Sequence, residues 1–202
     1  MWPDNSGNNR HSSGIRGSIA QSFFGSSKTE KYIYGSSTSG ITLGTTIPTG
    51  FTICSISSYT SSHRGRILDA KYPGKWIHGH YRGVAGVAHY EHWVTSSASV
   101  LDPLQWVVVC GKSTKVTAND IDRTIRTSGQ AAPSSYLTVN QGRGFGANQR
   151  SDWAVAKVSV WNRQLDDTEM SQASQILLNA IKVCLFCVVF VFVYCGEMVL
   201  QL

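Results

Sequence analysis

Residues 76–93 read WIHGHYRGVAGVAHYEHW and hold four of the chain's six histidines, together with Glu91, Trp76 and Trp93. Imidazole, carboxylate and indole at alternate positions can ligate a metal, move protons, or offer a sugar a flat platform with hydrogen-bonding edges. A hairpin turning at Val84-Ala85 sets Trp76 opposite Trp93, His78 opposite Glu91 and His80 opposite His89, and strand alternation then puts all six on one face. Opposed Cβ atoms on such a face lie about 5 Å apart, a spacing from which two or three imidazoles reach one zinc. The spacing permits a metal without requiring one, and no metal or cofactor is assigned. Trp76, His78, His80, His89, Glu91 and Trp93 are the candidate ligand-binding residues, with a plain sheet surface as the alternative reading.

Catalysis has less behind it. Glycoside hydrolysis uses two carboxyl groups about 5 to 9 Å apart across a cleft. Of the four glutamates, Glu169 reads as a helix cap, Glu197 lies in the C-terminal tail, and Glu91 has no evident partner. Asp120 and Asp122 fall in a turn, where Asp is expected. The glycine-rich GRGFG at 142–146 lacks the strand and helix context of a phosphate loop and reads as a loop on a rim.

The elements that must position these residues are short. KYIYG, GITLG, GFTICSISSY, GRILDA, KWIHGHY, GVAHYEHWV, LQWVVVCG, TKVTAN, YLTVN and SDWAVAKVSVW recur between Gly, Ser, Asn and Pro clusters. That punctuation, with its β-branched and aromatic enrichment, predicts an all-β antiparallel sandwich. At VSVWNRQLDDTEM the period changes: Asp166 and Glu169 form a capping box, and Met170, Ala173, Leu177 and Ile181 follow at helical spacing. Cys54 and Cys110 each sit inside an apolar strand and read as buried thiols, a disulfide between them being the minority alternative.

The chain has 202 residues, a net charge of +6 and a pI of about 9.2, with Lys and Arg scattered as singles, so no nucleic-acid partner is expected. Residues 183–195, VCLFCVVFVFVYC, form thirteen uncharged residues, a helix of only about 20 Å. Extension back to Ile176 gives the length of a bilayer core of about 30 Å and includes Asn179 and Lys182, and the transfer balance favours insertion. Cys184, Cys187 and Cys195 in this run read as apolar residues. The expected division is a β-sandwich over 1–175 and a hydrophobic segment over 176–202, the short helix continuing into a single transmembrane helix.

Four stretches in order resemble the laminin G-like branch of the concanavalin A-like lectin/glucanase superfamily. They are DNSGNNRH at 4–11, GHYRGVAGVAHYEHWV at 79–94, LQWVVVCGKSTKVTANDID at 104–122, and SDWAVAKVSVWNRQLDDTEM at 151–170. The resemblance covers about residues 2–175 and implies a jelly-roll sandwich that binds glycans, proteins or lipids, or cleaves polysaccharides. Asn119-Asp120 stands where the family usually has Asn-Gly or Asp-Gly, which predicts a longer loop there, and the E-x-D-x-E element of the glucanase branch is absent. The expected function is a non-enzymatic binding module for a carbohydrate or protein partner at a membrane. The alternatives are a polysaccharide-acting hydrolase and a purely structural interaction domain. The resemblance places the domain outside the cell, and no signal peptide follows Met1. Lys182 before the apolar run argues instead for the cytosolic side, so the side stays open.

Overall fold

The computed structural model describes residues 12–23, 30–70, 76–98, 101–127, 135–141 and 149–181. They form two seven-stranded antiparallel sheets packed face to face. Sheet one runs, in spatial order, β1 (Gly14–Arg16), β4 (Gly40–Ile47), β13 (Ser135–Val139), β6 (Arg66–Ala70), β7 (Trp76–Tyr81), β8 (Val84–Tyr90) and β9 (His92–Trp93). Sheet two runs β12 (Ile121–Asp122), β11 (Lys115–Ala118), β10 (Val107–Lys112), β5 (Thr52–Arg64), β14 (Ser151–Trp161), β3 (Lys31–Gly35) and β2 (Ile19–Phe23).

Alternation in β5 shows how the layers are built. Ile53 points between the sheets and joins the core of Phe51, Trp76, Tyr90, Val107 and Val109. Its neighbours Cys54 and Ile56 point the other way, yet they too are buried, because Leu165, Met170 and Leu177 cover them. These covering residues lie on or just before a helix, α1, which occupies residues 167–181. A strand buried on both faces reads as a near-continuous apolar run, as FTICSI does.

The start of α1 follows the expected capping box. Glu169 N donates to Asp166 Oδ1 at 2.8 Å and Asp166 N donates to Glu169 Oε2 at 3.0 Å, satisfying two amides that the helix itself leaves free. Both Glu169 carboxylate oxygens also accept from the Arg163 guanidinium at 2.7 Å.

Several expectations are corrected. Cys54 and Cys110 are directly opposed on β5 and β10 and form a disulfide rather than two free thiols. Asn119-Asp120 makes no longer loop: Ala118 pairs with Ile121, and the two turn residues take φ of 51° and 63° as a two-residue turn of the I′ kind. Tertiary contacts hold it. Asn119 Oδ1 accepts from Val108 N at 3.0 Å, and the Asp120 carboxylate accepts from Ser171 Oγ at 3.2 Å and Gln175 Nε2 at 2.5 Å on α1.

The chain beyond residue 175 does not leave the domain there. Leu177 is 4% exposed, and Leu178, Ala180 and Ile181 pack on the same cluster over sheet two. Leu177, Leu178, Ala180 and Ile181 are thereby part of the sandwich. Among the described residues, no helix is long and apolar enough to cross a membrane. The run at 183–195, the DNSGNNRH segment and the GRGFG loop lie outside the described residues.

Candidate ligand face

The hairpin that carries the candidate residues turns two residues earlier than Val84-Ala85. Tyr81 pairs with Val84, and the intervening Arg82 and Gly83 take φ of 47° and 81°, again a turn of the I′ kind that suits the strand twist. A bulge follows. Gly79 pairs with Val87 while His80 pairs with Ala85, leaving Gly86 as the extra residue at φ 77°. Glycine is required there, since a Cβ would lie 2.8 Å from Leu101 Cδ1 and 2.9 Å from Ala118 Cβ. The outcome sets Trp76 opposite Tyr90 and Ile77 opposite His89, in place of the expected pairs.

This register splits the six candidates between the two faces of sheet one. Trp76, His78 and His80 point into the sandwich and are fully buried, so no ligand reaches them without parting the sheets. The His78 ring bridges the layers: its Nε2 lies 3.2 Å from the Val109 carbonyl of sheet two and its Nδ1 lies 2.7 Å from the Tyr90 hydroxyl. A carbonyl only accepts, so Nε2 carries the proton and Nδ1 accepts from Tyr90. His80 Nδ1 lies 3.2 Å from Ser57 Oγ, and its ring meets Tyr59 edge-on at 4.8 Å. Burial pushes both imidazoles down to about 3, aided in His80 by the neighbouring His78, so both are neutral around pH 7.

The opposite face carries a row that crosses all of sheet one. Gly14, Thr42, Thr138, Asp69, Ile77, His89 and Trp93 are successive register partners on β1, β4, β13, β6, β7, β8 and β9. The centre of the row is buried, with Thr138 fully enclosed and Asp69 only 1% exposed. The Thr138 hydroxyl bonds both the backbone carbonyl and the carboxylate of Asp69. Arg66, also on β6 and 4% exposed, lies over the Tyr81 ring at 5.5 Å. Its guanidinium pKa is lowered chiefly by burial, against the pull of the Asp69 charge.

Toward the β9 edge the face opens. Tyr81, His89 and Trp93 are half-buried and in ring contact, Trp93 lying 5.5 Å from Tyr81 and 5.1 Å edge-on from His89. Arg82 extends the group, its guanidinium 5.2 Å above Tyr81. Glu91 is the single residue between Tyr90 and His92, which pair with each other, and takes φ 65° as a turn residue beside the face. Of the six candidates, the structure brings only His89 and Trp93 together here. Tyr81, Arg66 and Asp69 were not expected. Asp69 had a signal in the sequence, a lone carboxylate inside the buried strand RILDA. Among the described residues no group of three His, Cys, Asp or Glu is placed to hold a metal ion.

Two antiparallel sheets and, among the described residues, one covering helix define the chain as a β-sandwich. No protein-family model matches the chain, and no curated protein matches it in sequence. Its structure is similar to domain 4 of AbnA, a GH43 extracellular arabinanase from Geobacillus stearothermophilus solved with arabinotriose. That match has a TM-score of 0.60 and 13% identity over 84% of this chain and 91% of that one. It is also similar to the heptameric SAP-like pentraxin from Limulus polyphemus, with a TM-score of 0.51 and 16% identity over 77% and 81%. The binding domain of botulinum neurotoxin DC, solved with rat synaptotagmin II, has a TM-score of 0.51 and 11% identity over 86% of this chain and 48% of that one. Identities this low show the fold alone.

Proposed function

We propose that the chain is a non-catalytic binding module of the laminin G-like kind, and that it recognises a carbohydrate through the open edge of sheet one. The observation that carries this reading is the half-exposed cluster of Tyr81, His89 and Trp93 on the face away from the core. An aromatic ring fixed by its neighbours stacks on the apolar side of a sugar at little entropic cost, while the imidazole and the Arg82 guanidinium supply polar contacts at its edge. The sugar found with the arabinanase domain supports a glycan over other ligands. The complex of the botulinum domain with synaptotagmin supports a second reading, a protein partner.

A glycan array probed with the full-length chain, repeated with Trp93→Ala, tests the first reading. Binding to a defined set of glycans that the substitution weakens at least tenfold is expected. Equal binding by both proteins moves the ligand away from this face, and reducing-sugar release on incubation with polysaccharide would make the module a hydrolase.

Residues 183–195 are assigned to membrane attachment without a full span, since their composition favours the bilayer while about 20 Å of helix is shorter than its core. The Cys54–Cys110 disulfide supports a lumenal or extracellular domain, since such bonds persist in oxidising compartments. Carbonate extraction tests the anchor, and protease protection in sealed vesicles tests the side. Recovery of the full chain in the soluble fraction without detergent rejects the assignment.

A further inference from the structure

Where β5 turns into β6, the rim of the sandwich holds a cleft of about 490 Å³ lined by Ser37, Thr38, Ser62, His63, Arg64 and Arg150. Gly65 makes it possible. A Cβ at this position would lie 2.1 Å from the Gln149 carbonyl oxygen and 2.8 Å from Arg150 N, so only glycine lets the two backbones meet, with Gly65 N donating to Arg150 O at 3.3 Å. That close approach places Arg64 and Arg150 on one cleft. Each is fixed at its Nε, which donates to a backbone carbonyl: Arg64 to Ser61 at 3.1 Å and Arg150 to Gln141 at 3.3 Å. Their outer guanidinium nitrogens remain for another acceptor, because neither arginine forms an ion pair among the described residues.

The carboxylate of Asp152 is held by two residues of the cleft wall, Ser37 and His63. Asp152 accepts from Ser37 N at 2.9 Å, from His63 N at 3.2 Å and from His63 Nδ1 at 3.0 Å. Burial raises its pKa, but these donors outweigh burial and hold the carboxyl below its usual range. Of the twelve acidic residues, only Asp4 and Glu197 fall outside the described residues. Among the described residues the cleft therefore combines two guanidinium groups without a carboxylate partner, three hydroxyls, and an imidazole already paired with Asp152. Guanidinium forks match the paired oxygens of a sulfate, phosphate or carboxylate, and hydroxyls supply the remaining donors.

We propose that this cleft is a second binding site, specific for the oxyanion group of a small hydrophilic ligand. It is distinct from the aromatic edge and does not depend on that edge binding a neutral sugar. The site holds the anion between Arg64 and Arg150, with Ser37, Thr38 and Ser62 around it.

The test uses the full-length chain at constant ionic strength, titrated by calorimetry with inorganic sulfate, inorganic phosphate, glucuronic acid and glucose. Saturable binding of at least one of the three anions, and none of glucose, is expected. Glucuronic acid binding alone marks a carboxylate ligand, and sulfate or phosphate binding alone marks a tetrahedral one. Arg64→Ala and Arg150→Ala should each weaken the binding at least tenfold, Arg64→Lys should retain part of it, and Lys157→Ala on β14 should leave it unchanged. Circular dichroism identifies any variant that fails to fold, in which case Arg64→Gln and Arg150→Gln replace it. Absence of saturable anion binding in the parent protein, or affinity unchanged in both arginine variants, overturns the proposal.

Discussion

The Tyr90 hydroxyl donates to His78 Nδ1 at 2.7 Å, and His78 in turn reaches the Val109 carbonyl of the facing sheet at 3.2 Å. A histidine that looks like chemistry in the sequence is thus the polar tie between the two layers. Removing the phenolic oxygen leaves a buried ring nitrogen without a donor, which costs about 1–3 kcal/mol. Tyr90→Phe should lower the denaturation midpoint accordingly in chemical unfolding. Gly111→Ala should do at least as much harm, because a Cβ there would lie 2.1 Å from the Tyr90 oxygen.

Acid should weaken the fold before the carboxylates protonate. His78 and His80 have folded pKa values of about 3, against an ordinary value of 6.5. Between these limits the unfolded chain binds protons on both rings and the folded chain does not, so stability falls steadily as pH drops from about 6.5 toward 3. The loss is several kcal/mol at the low end, with roughly 5 kcal/mol per imidazole as an upper bound. Urea unfolding at pH 7, 5.5 and 4.5 measures it. A His78→Gln/His80→Gln double variant should have a flatter profile over that window, whatever its absolute stability.

Trp76 and Trp93, which looked equivalent in the sequence, should behave oppositely. Trp76 is fully buried against Phe51 and Tyr90, and its replacement by Ala should cost about 3–5 kcal/mol. Trp93 is half-buried at the sheet edge, and Trp93→Ala should leave the thermal midpoint within a few degrees while weakening glycan binding. Thermal melts of both variants, set beside the array, separate the two roles.

Truncation has a definite best position. Ending the chain after residue 175 removes Leu177, Leu178, Ala180 and Ile181 from the cluster over the Cys54–Cys110 pair, whereas ending it after 181 keeps them. Burying one leucine contributes about 1.5–3 kcal/mol. The 1–181 chain should melt several degrees higher than the 1–175 chain, and equal midpoints would show that the last turn and a half of α1 adds nothing.

The disulfide should be stabilising in the oxidised protein. Its two cysteines are 56 residues apart in sequence, and closing a loop of that size restricts the unfolded chain by about 4 kcal/mol in the chain-entropy treatment. Cys54→Ala/Cys110→Ala should therefore melt lower than the parent. Mass mapping under non-reducing conditions should find the Cys54–Cys110 peptide pair.

Much of the architecture follows from local pattern. The short apolar runs FTICSI and WVVVCG and the alternation in SDWAVAKVSVW mark strands, and Asp166 with Glu169 fixes the start of α1 by reciprocal hydrogen bonds between residues three apart. Such signals need no distant partner, so the sequence alone determines a β-sandwich closed by a capped helix. What it could not settle was everything that depends on register and on which layer lies behind a strand. The Arg82-Gly83 turn and the Gly86 bulge decide which of Trp76, Ile77, His78, His89 and Trp93 face inward, and neither is the strong Asn-Gly signal of a hairpin. A strand repeats every two residues, so a one-residue slip in pairing exchanges its faces, turning a supposed ligand surface into core and revealing the Tyr81–Trp93 edge behind it. The Asn119-Asp120 turn held by α1, the Cys54–Cys110 bond, and the meeting of Arg64 with Arg150 across Gly65 likewise join residues distant in sequence. Their geometry exists only once the two sheets are assembled.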